Sequence, residues 1–286
     1  MNVIQKNKQT GVGFRPDHYT NFIRSLCGLI IKAMRLDGEN FFSNEFIQKL
    51  DPKAAIEWQG RKLYFRTGHG RLKWRVDSFY AEEPLMIEWL SDIVDDDVFL
   101  DIGANVGTYA LPAATQAKTV IAAEMDPINV GLLYENLFLN GLTEKVVILP
   151  FGLGATDALQ TIHYRDFSKG DALQSIGDPS PFATGKTSKA HKATQIIFRL
   201  DTVFELMGLP QPNKIKIDVD GNERVVFDGG RRVLTAAREI YFELNALDDS
   251  QTVVDDLEKA GFRISKRAKG ENPNFPESYN LLLLRD

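Results

Sequence analysis

The chain has 286 residues, of which 43% are hydrophobic and 26% charged, with a formal net charge of −5 and a pI of about 5.5. This balance predicts a globular protein with a full core, and it argues against a broad electrostatic surface for nucleic acid. A single cysteine, Cys27, excludes intramolecular disulfides. With no visible signal peptide and no apolar run of membrane-spanning length, the sequence predicts a cytoplasmic protein without an integral membrane segment.

Residues 1–80 are predicted to form an extension of helices and short strands. Apolar side chains recur at helical spacing over residues 19–35. That pattern favours packing on the main domain or on a second copy of the chain, as a homodimer, over a membrane surface. A second short helix is expected over residues 44–50. Short strands are predicted at 56–58, 62–65 and 72–76, and a helix at 84–90.

The stretch that organises the rest of the chain runs from Val98 to Leu111 and reads Val-Phe-Leu-Asp-Ile-Gly-Ala-Asn-Val-Gly-Thr-Tyr-Ala-Leu. It predicts a buried strand over 98–102, a glycine-rich turn and a helix beginning near Val106. Glycines at 103 and 107 let the backbone pass close to a ligand, and asparagine tolerates a left-handed turn. The candidate cofactor-binding residues of this stretch are Asp101, Gly103, Ala104, Asn105 and Gly107.

The position of Asp101 bears on the class of ligand. A dinucleotide site has the pattern G-x-G-x-x-G and places a pyrophosphate on a helix N-terminus. Here a carboxylate precedes the first glycine by two residues, so it would repel pyrophosphate and attract an ammonium group. S-adenosylmethionine carries an ammonium, a sulfonium and a carboxylate but no phosphate, and the pattern favours it. A strand, turn and helix without any ligand is the alternative.

The next predicted strand, 119–125, supports a nucleoside ligand. Glu124 follows Asp101 by 23 residues, close to the interval of roughly 20 at which nucleotide-binding folds place a carboxylate on the ribose hydroxyls. Met125 could pack on the adenine face, and Phe151 could do the same after a helix over 129–142 and a third strand over 145–150. The alternatives are a solvated carboxylate for Glu124 and core packing for both apolar side chains.

Residues 165–192 form an insertion between strands predicted at 160–164 and 194–200. Its length without clear periodicity is typical of a lid or binding loop. A mild excess of positive charge would suit an acidic or phosphate-bearing substrate. His163 and His191 flank the insertion, and both are more simply explained as structural residues.

Four carboxylates cluster at the ends of the strands predicted over 214–219 and 239–245, namely Asp218, Asp220, Glu223 and Glu243. Ligands bind beside such strand ends, and mutual repulsion should raise some of the pKa values toward those of a general base. A divalent metal site is the rival use, and helix capping by Asp220 is a third. We expect base or substrate contacts here and no metal.

The remaining elements predict the sheet. Helices alternate with strands up to the last two strands, 262–266 and 280–284, which lack a helix between them. This order predicts an α/β fold with a mostly parallel sheet, helices on both faces and an antiparallel C-terminal edge strand.

At this point the sequence resembles the FkbM-type S-adenosylmethionine-dependent methyltransferases. The resemblance covers roughly Tyr80 to the end, and four stretches carry it: Phe99-Leu-Asp-Ile-Gly-Ala-Asn-Val-Gly-Thr-Tyr109, Lys216-Ile-Asp-Val-Asp-Gly-Asn-Glu223, Phe242-Glu243 and Tyr279-Asn-Leu-Leu-Leu-Leu284. It implies a class I methyltransferase (Rossmann-like) domain over residues 81–286. It also implies O-methylation of a hydroxyl on a sugar, glycolipid or natural product. Asn222 departs from the small residue common in the family.

Matching motif positions imply that Asp101, Gly103, Asn105 and Glu124 bind S-adenosylmethionine, with Asp218 at the same site. Asp220, Asp218 or His191 would take the acceptor's proton, and Glu223 and Glu243 would contact a small-molecule or glycan acceptor. The pair Glu82 and Glu83 is expected to cover the methionine end of the cofactor. Two alternatives stay open, a non-catalytic interaction scaffold and a nucleic-acid methyltransferase, and the acidic pI disfavours the second.

Overall fold

The computed structural model describes residues 51–165, 167–177, 191–245, 249–270 and 278–285, together with Phe22, Ser25, Leu26, Gly28 and Leu29. Contacts divide the chain into two compact units, Met1–Asp51 and Pro52–Asp286. Phe22, Ser25, Leu26, Gly28 and Leu29 of the first unit are helical, as the helix predicted over 19–35 requires, and they are exposed. Cys27 and the helix predicted over 44–50 lie outside the described residues. Among the described helices, none has the length and apolarity to cross a bilayer.

The strands of the second unit are β1 (Lys53–Trp58), β2 (Arg61–Arg66), β3 (Val98–Ile102), β4 (Thr119–Ala123), β5 (Val146–Leu149), β6 (Gly152–Leu153), β7 (Ala158–Tyr164), β8 (Ser175–Ile176), β9 (His191–Phe198), β10 (Lys214–Ile217), β11 (Glu239–Asn245), β12 (Phe262–Lys269) and β13 (Ser278–Arg285). The helices are α1 (Gly70–Asp77), α2 (Phe79–Glu82), α3 (Pro84–Ser91), α4 (Ala110–Ala114), α5 (Pro127–Asn140), α6 (Leu200–Met207), α7 (Glu223–Thr235) and α8 (Ser250–Lys259).

Seven strands form the central sheet in the order β12-β13-β11-β10-β3-β4-β5. Only β13 runs against its neighbours β11 and β12, and it lies next to the outermost strand, β12. The predicted α/β fold, mostly parallel with an antiparallel C-terminal edge, is confirmed. β3 is buried along its whole length, with Phe99 in the core of one face and Leu100 and Ile102 in the core of the other. Both faces of the sheet are therefore covered, as parallel sheets require.

The hairpin of β1 and β2 was predicted correctly, whereas the strand expected over 72–76 is wrong. Gln59 and Gly60 both have positive φ, as a two-residue hairpin turn demands. The residues expected to form the strand belong to α1, whose first turn is capped by the His69 ring nitrogen accepting from the Arg71 N–H at 3.3 Å. Leu72 and Val76 are buried one helical turn apart, so their spacing fits a helix as well as a strand.

The turn after β3 is longer than predicted, because the helix begins at Ala110 and not near Val106. Gly103, Asn105 and Gly107 have φ values of 85°, 51° and 89°. Three left-handed residues within five positions prevent helical geometry before Gly107. The left-handed conformation expected of Asn105 is confirmed.

A second sheet was not predicted from the sequence. Four strands pair in the order β6-β9-β7-β8, and the two short members have only two residues each. Its apolar side chains at Ile162, Tyr164 and Ile197 pack with Met125 and Ile176. This sheet stands beside the carboxyl end of the central one. The division of the chain at residue 80 and the role of the insertion stay predictions, and residues 166 and 178–190 of the insertion lie outside the described part.

Two helical glycines give a matched test of the packing around α7. A Cβ at Gly229 would lie 1.9 Å from the Gly154 carbonyl oxygen, whereas a Cβ at Gly131 on α5 would meet nothing within 4 Å. Gly229→Ala should lower the free energy of unfolding by about 1–3 kcal/mol through overpacking. Gly131→Ala should raise it by about 0.5–1 kcal/mol through helix propensity. Urea unfolding measures both, and a neutral Gly229→Ala would contradict this close approach of α7 to the loop after β6.

Candidate active site

A cleft opens at the carboxyl ends of β3, β4 and β10, with about 670 Å³ of empty space that includes its open mouth. One wall is apolar and includes Met125, Phe151, Leu153, Ile176 and Val226. The opposite end is acidic. The cleft lies where ligands bind in open α/β sheets, beside the strand ends.

The glycine-rich turn forms the floor. A Cβ at Gly103 would lie 1.9 Å from the Asp218 carbonyl oxygen, so the turn after β3 and the end of β10 meet backbone to backbone. The Asn105 N–H points to the neighbouring strand end and donates to Glu124 Oε2 at 2.7 Å. Glycine at 103 is therefore required by a close approach within the protein itself, before any ligand is considered.

Glu124 lines the cleft directly after β4. Its two oxygens accept the Asn105 and Asp126 N–H groups, each at 2.7 Å. Burial raises the pKa of this carboxyl to about 7, against the opposing effect of those hydrogen bonds. Because each carboxylate oxygen has two lone pairs, both can accept further hydrogen bonds from a ligand hydroxyl.

Beneath the cleft, Lys216 occupies a buried position that the sequence reasoning missed. Its ammonium lies 3.3 Å from Asp101 Oδ1 and 3.1 Å from Asp218 Oδ2, and its side chain is only 1% exposed. Burial opposes this charge, but Asp218 and Asp101 hold the pKa of Lys216 above its ordinary value. Strand periodicity could have revealed Lys216, because residues 216 and 218 lie on the same side of the extended chain. Asp101 is the register partner of Lys216 on the neighbouring strand β3.

Asp101 therefore lies behind the cleft and does not line it. It is fully buried, and burial raises its pKa while Lys216 acts in the opposite direction. Asp218, which does line the cleft, is half-buried, and Lys216 holds its pKa below the usual value. Asp101 therefore acts on the cleft indirectly, because it shares the ammonium of Lys216 with Asp218.

Three carboxylates meet at the acidic end. One oxygen each of Asp218, Asp220 and Glu243 lies within 4.8 Å of the others. Burial and the charge of Asp218 raise the pKa of Asp220 to about 6, and they raise that of Glu243 as well. Lys216 holds the pKa of Asp218 below its usual value, whereas burial and the charge of Asp218 raise that of Glu243 well above its usual value. Asp220 is the carboxyl of this group that is poised near neutrality.

Glu83 extends the acidic end from the N-terminal side. The Tyr241 hydroxyl donates to Glu83 Oε2 at 3.1 Å, and burial together with Asp218 raises the pKa of Glu83 to about 7. Glu82 also has a raised pKa, chiefly through burial.

Asn222 and Glu223 belong to the turn after β10. Glu223 is only 2% exposed, and its carboxylate accepts the Val219 and Gly221 N–H groups at 3.1 and 3.0 Å. Asn222 donates to the Gln174 carbonyl at 2.8 Å and accepts the Ile176 N–H at 3.1 Å. Asn222, which stands where the family commonly has a small residue, thus connects this turn to segment 167–177 through hydrogen bonds. The carboxylate of Glu223 is bonded within the turn and does not line the cleft.

Segment 167–177 closes one side of the cleft and is held by buried Asp171. The guanidinium groups of Arg71 and Arg165 lie 2.5 and 2.6 Å from Asp171 Oδ1. The Asp171 carbonyl accepts from the side-chain amides of Asn105 and Asn129, each at 2.9 Å. These bonds attach the described part of the predicted insertion to the glycine-rich turn and to α5.

The structure brings part of the predicted site together. Six predicted residues line the cleft at the cofactor positions: Gly103, Asn105, Glu124, Met125, Phe151 and Asp218. Asp220 lines it as well, and Glu243 borders Asp218 and Asp220. Outside the lining lie Asp101, Ala104, Gly107, Glu223 and His191. Polar side chains that line the cleft but were not predicted are Arg75, Gln174 and Asn222.

His191 is exposed at the start of β9, pairs with Tyr164 across the ladder and lies 5.6 Å from the ring of Phe167. This places it in the second sheet, away from the carboxylates of β10 and β11. Gly107 serves packing, because a Cβ there would lie 2.5 and 2.6 Å from the Leu111 and Leu133 side chains.

Residues 101–264, more than half of the chain, match the model of the methyltransferase FkbM domain. The chain belongs to the FkbM methyltransferase family. It is 28% identical over 190 residues to the hexuronic acid methyltransferase AglP of Haloferax volcanii, which covers 65% of this chain and 72% of that protein. A shorter match, 40% over 85 residues, joins 30% of the chain to 28% of a probable ribosomal RNA small subunit methyltransferase A of Methanosphaera stadtmanae.

Solved structures similar to this FkbM chain include the methyltransferase FkbM of Methylobacillus flagellatus KT, at 14% identity and a TM-score of 0.44 over 73% of this chain and 54% of that one. A precorrin-6y C5,15-methyltransferase of Geobacter metallireducens GS-15 matches at 18% identity and a TM-score of 0.42, over 72% of this chain and 90% of that one.

The buried lysine gives a test of the site's electrostatics. Lys216→Met leaves Asp101 and Asp218 buried without their cation, and should lower the free energy of unfolding by about 3–5 kcal/mol at pH 8. The loss should be smaller at pH 5.5, because the two carboxyls can then take up protons that the unfolded chain does not bind, so stability falls as pH rises. Chemical unfolding at both pH values measures this.

The exposed pair of Lys62 with Glu57, 3.5 Å apart, supplies the control. Lys62→Met should change the free energy of unfolding by less than about 0.5 kcal/mol at either pH. An equal loss at both pH values for Lys216→Met would show that packing, and not charge, accounts for the effect.

Proposed function

We propose that this FkbM-family protein is an S-adenosylmethionine-dependent O-methyltransferase that acts on a hydroxyl of a sugar or glycan. The observation that carries the proposal is the polarity of the cleft. An apolar wall and the carboxylate of Glu124 lie at one end, and the carboxylates of Asp218, Asp220 and Glu243 meet at the other. S-adenosylmethionine has the matching sequence of groups, with an adenine, a ribose and a positively charged amino-acid end.

The side chains that line the cleft fit this cofactor. Glu124 would accept the ribose hydroxyls, and Met125 and Phe151 would contact the adenine. Asp218 would face the ammonium or the sulfonium. A phosphate-bearing cofactor would instead bring its negative charge against Asp218, which Lys216 keeps ionised. When bound, S-adenosylmethionine supplies a methyl group on a positively charged sulfur.

Asp220 is the general base in this proposal. It lines the cleft, and a pKa of about 6 leaves it mostly ionised at neutral pH yet basic enough to accept a proton. Asp218 is paired with Lys216, which lowers its pKa, and burial and the charge of Asp218 raise the pKa of Glu243. The acceptor hydroxyl would lie against Asp220 and Glu243, and the protein would contribute chiefly by holding it in line with the methyl carbon.

The acceptor class rests on the similarity to AglP, whose name describes a hexuronic acid methyltransferase, over 72% of its length. The match to the ribosomal RNA methyltransferase covers only 30% of this chain. The carboxylates of Asp218 and Asp220, which line the acidic end of the cleft, also oppose a polyphosphate backbone. These observations favour a sugar acceptor over a nucleic acid, and a ligand-shaped cleft favours an enzyme over a non-catalytic scaffold.

Variants of the two cleft carboxylates should separate binding from chemistry. Glu124→Gln removes the charge that accepts from the ribose, and should weaken S-adenosylhomocysteine by about 10-fold, the value of one charge-assisted hydrogen bond. Asp220→Asn should leave that affinity within about 3-fold and lower kcat by about 10²–10⁴-fold. Asparagine tolerates the left-handed φ of 52° at residue 220, so the backbone is kept.

Calorimetry with S-adenosylhomocysteine and transfer of labelled methyl to glucuronic acid, galacturonic acid and glucose measure these effects. With S-adenosylmethionine saturating, kcat/KM for the acceptor in the unmodified protein should rise with pH and reach half its maximum near pH 6, as Asp220 loses its proton. Asp220→Asn should abolish that rise. A protein that binds S-adenosylhomocysteine but methylates no hydroxyl compound would contradict the O-methyl assignment, and one that binds no adenosyl compound would contradict the cofactor.

A further inference from the structure

Arg75 is a cation in the cleft that neither the family match nor the proposed chemistry uses. It belongs to α1, upstream of the matched residues 101–264, and lines the cleft with Ala172 and Gln174 of the opposite segment. The helix presents it there because Leu72 and Val76 are buried on the adjoining face.

The guanidinium group of Arg75 is poorly satisfied by the protein. Of its five N–H donors, one bond is formed, from Nη2 to the Gly170 carbonyl at 3.2 Å. Nε is buried and has no hydrogen-bond partner. Among the described residues no carboxylate oxygen lies within 4.0 Å of it, whereas Arg71 on the same helix and Arg165 both pair with Asp171. A partly buried guanidinium left without an anion is costly, which indicates that the anion comes from outside the chain.

The surroundings define the kind of anion. Arg75 lowers the pKa values of Glu82, Glu124, Asp218 and Asp220 without contacting any of them, so it lies between the ribose end and the acidic end. A dianion such as phosphate would meet these carboxylates at full repulsion. A carboxylate carries half that charge, and its two oxygens match the planar fork of arginine.

We propose that Arg75 binds the carboxylate of a ligand at the centre of the cleft. This inference rests on the proposed methyltransferase function and adds a ligand group to it. Two sources of that group fit the cleft, the methionine carboxylate of the cofactor and the carboxylate of an acidic sugar acceptor. In both cases the segment before the family domain supplies the anion site, and the domain supplies the carboxylates that face the cationic and hydroxyl groups.

The test compares Arg75→Met and Arg75→Lys with Lys73→Met, which removes a positive charge from the same helix. Lys73 pairs with Asp77 at the surface and does not line the cleft. Calorimetry uses S-adenosylhomocysteine and its decarboxylated analogue, which keeps the ammonium. Methyl transfer is measured with glucuronic acid and with glucose, and thermal unfolding shows whether each variant is folded.

If the cofactor supplies the carboxylate, Arg75→Met should weaken S-adenosylhomocysteine by about 10–100-fold, the value of a charge-assisted hydrogen bond, and leave the decarboxylated analogue unchanged. If the acceptor supplies it, cofactor affinity should stay unchanged and KM should rise 10-fold or more for glucuronic acid alone. Arg75→Lys should restore part of either loss, because it keeps the charge without the fork. Lys73→Met should leave all values unchanged.

Two outcomes would overturn the assignment in distinguishable ways. If the folded Arg75→Met binds both cofactor analogues and methylates both acids and neutral sugars as the unmodified protein does, the carboxylate site is refuted while the proposed function stands. If the unmodified protein binds neither analogue, the proposed function fails and the carboxylate site fails with it.

Discussion

The ion pairs of Lys216 are the interaction on which the cleft depends. An ammonium with almost no exposure lies between Asp101 on one strand and Asp218 at the end of the next. Burying three charged groups is costly, and such groups are stable only when each has a partner. The arrangement therefore costs stability and yields an electrostatic result: Lys216 holds the pKa of Asp218 below its usual value, while the pKa values of the neighbouring Asp220 and Glu243 are raised.

The turns on both sides of the Lys216 ion pairs have unusual backbone geometry. Gly103 and Asp218 touch through their backbones, and Asp220 has a left-handed φ of 52° without being glycine. Conformations of this kind persist where the surroundings over-determine them, which here means Glu223 bonded to two N–H groups of the turn and Asn222 bonded to segment 167–177. These bonds hold the turn that carries Asp220 at the acidic end of the cleft.

Much of the fold and part of the site could be predicted from the sequence, because local patterns decide them. Strand β3 is a continuous apolar run followed by glycine, and Glu124 ends the next such run, so both positions follow from chain order. The strand predicted over residues 72–76 was wrong because the spacing of Leu72 and Val76 fits both strand and helix periodicity. The helix found there also depends on a cap from His69. Lys216 lies in the alternating stretch Lys-Ile-Lys-Ile, which is typical of a half-exposed strand, yet all four residues are buried. Only the pairing with Asp101 and Glu239, set by tertiary structure, makes that burial tolerable.

Asp101 illustrates the difference between a motif and a contact. Its position in the sequence predicted a direct grip on the cofactor, whereas the structure gives it Lys216 as a partner and gives Asp218 the cleft surface. Two further polar side chains that face the cleft come from parts of the chain with little pattern of their own. Arg75 stands on a short helix before the family domain, and Gln174 stands on a segment held by the Asp171 ion pairs. The central sheet therefore positions the carboxylates at the acidic end of the cleft, while Arg75 and Gln174 reach the cleft from segments that the motif does not include.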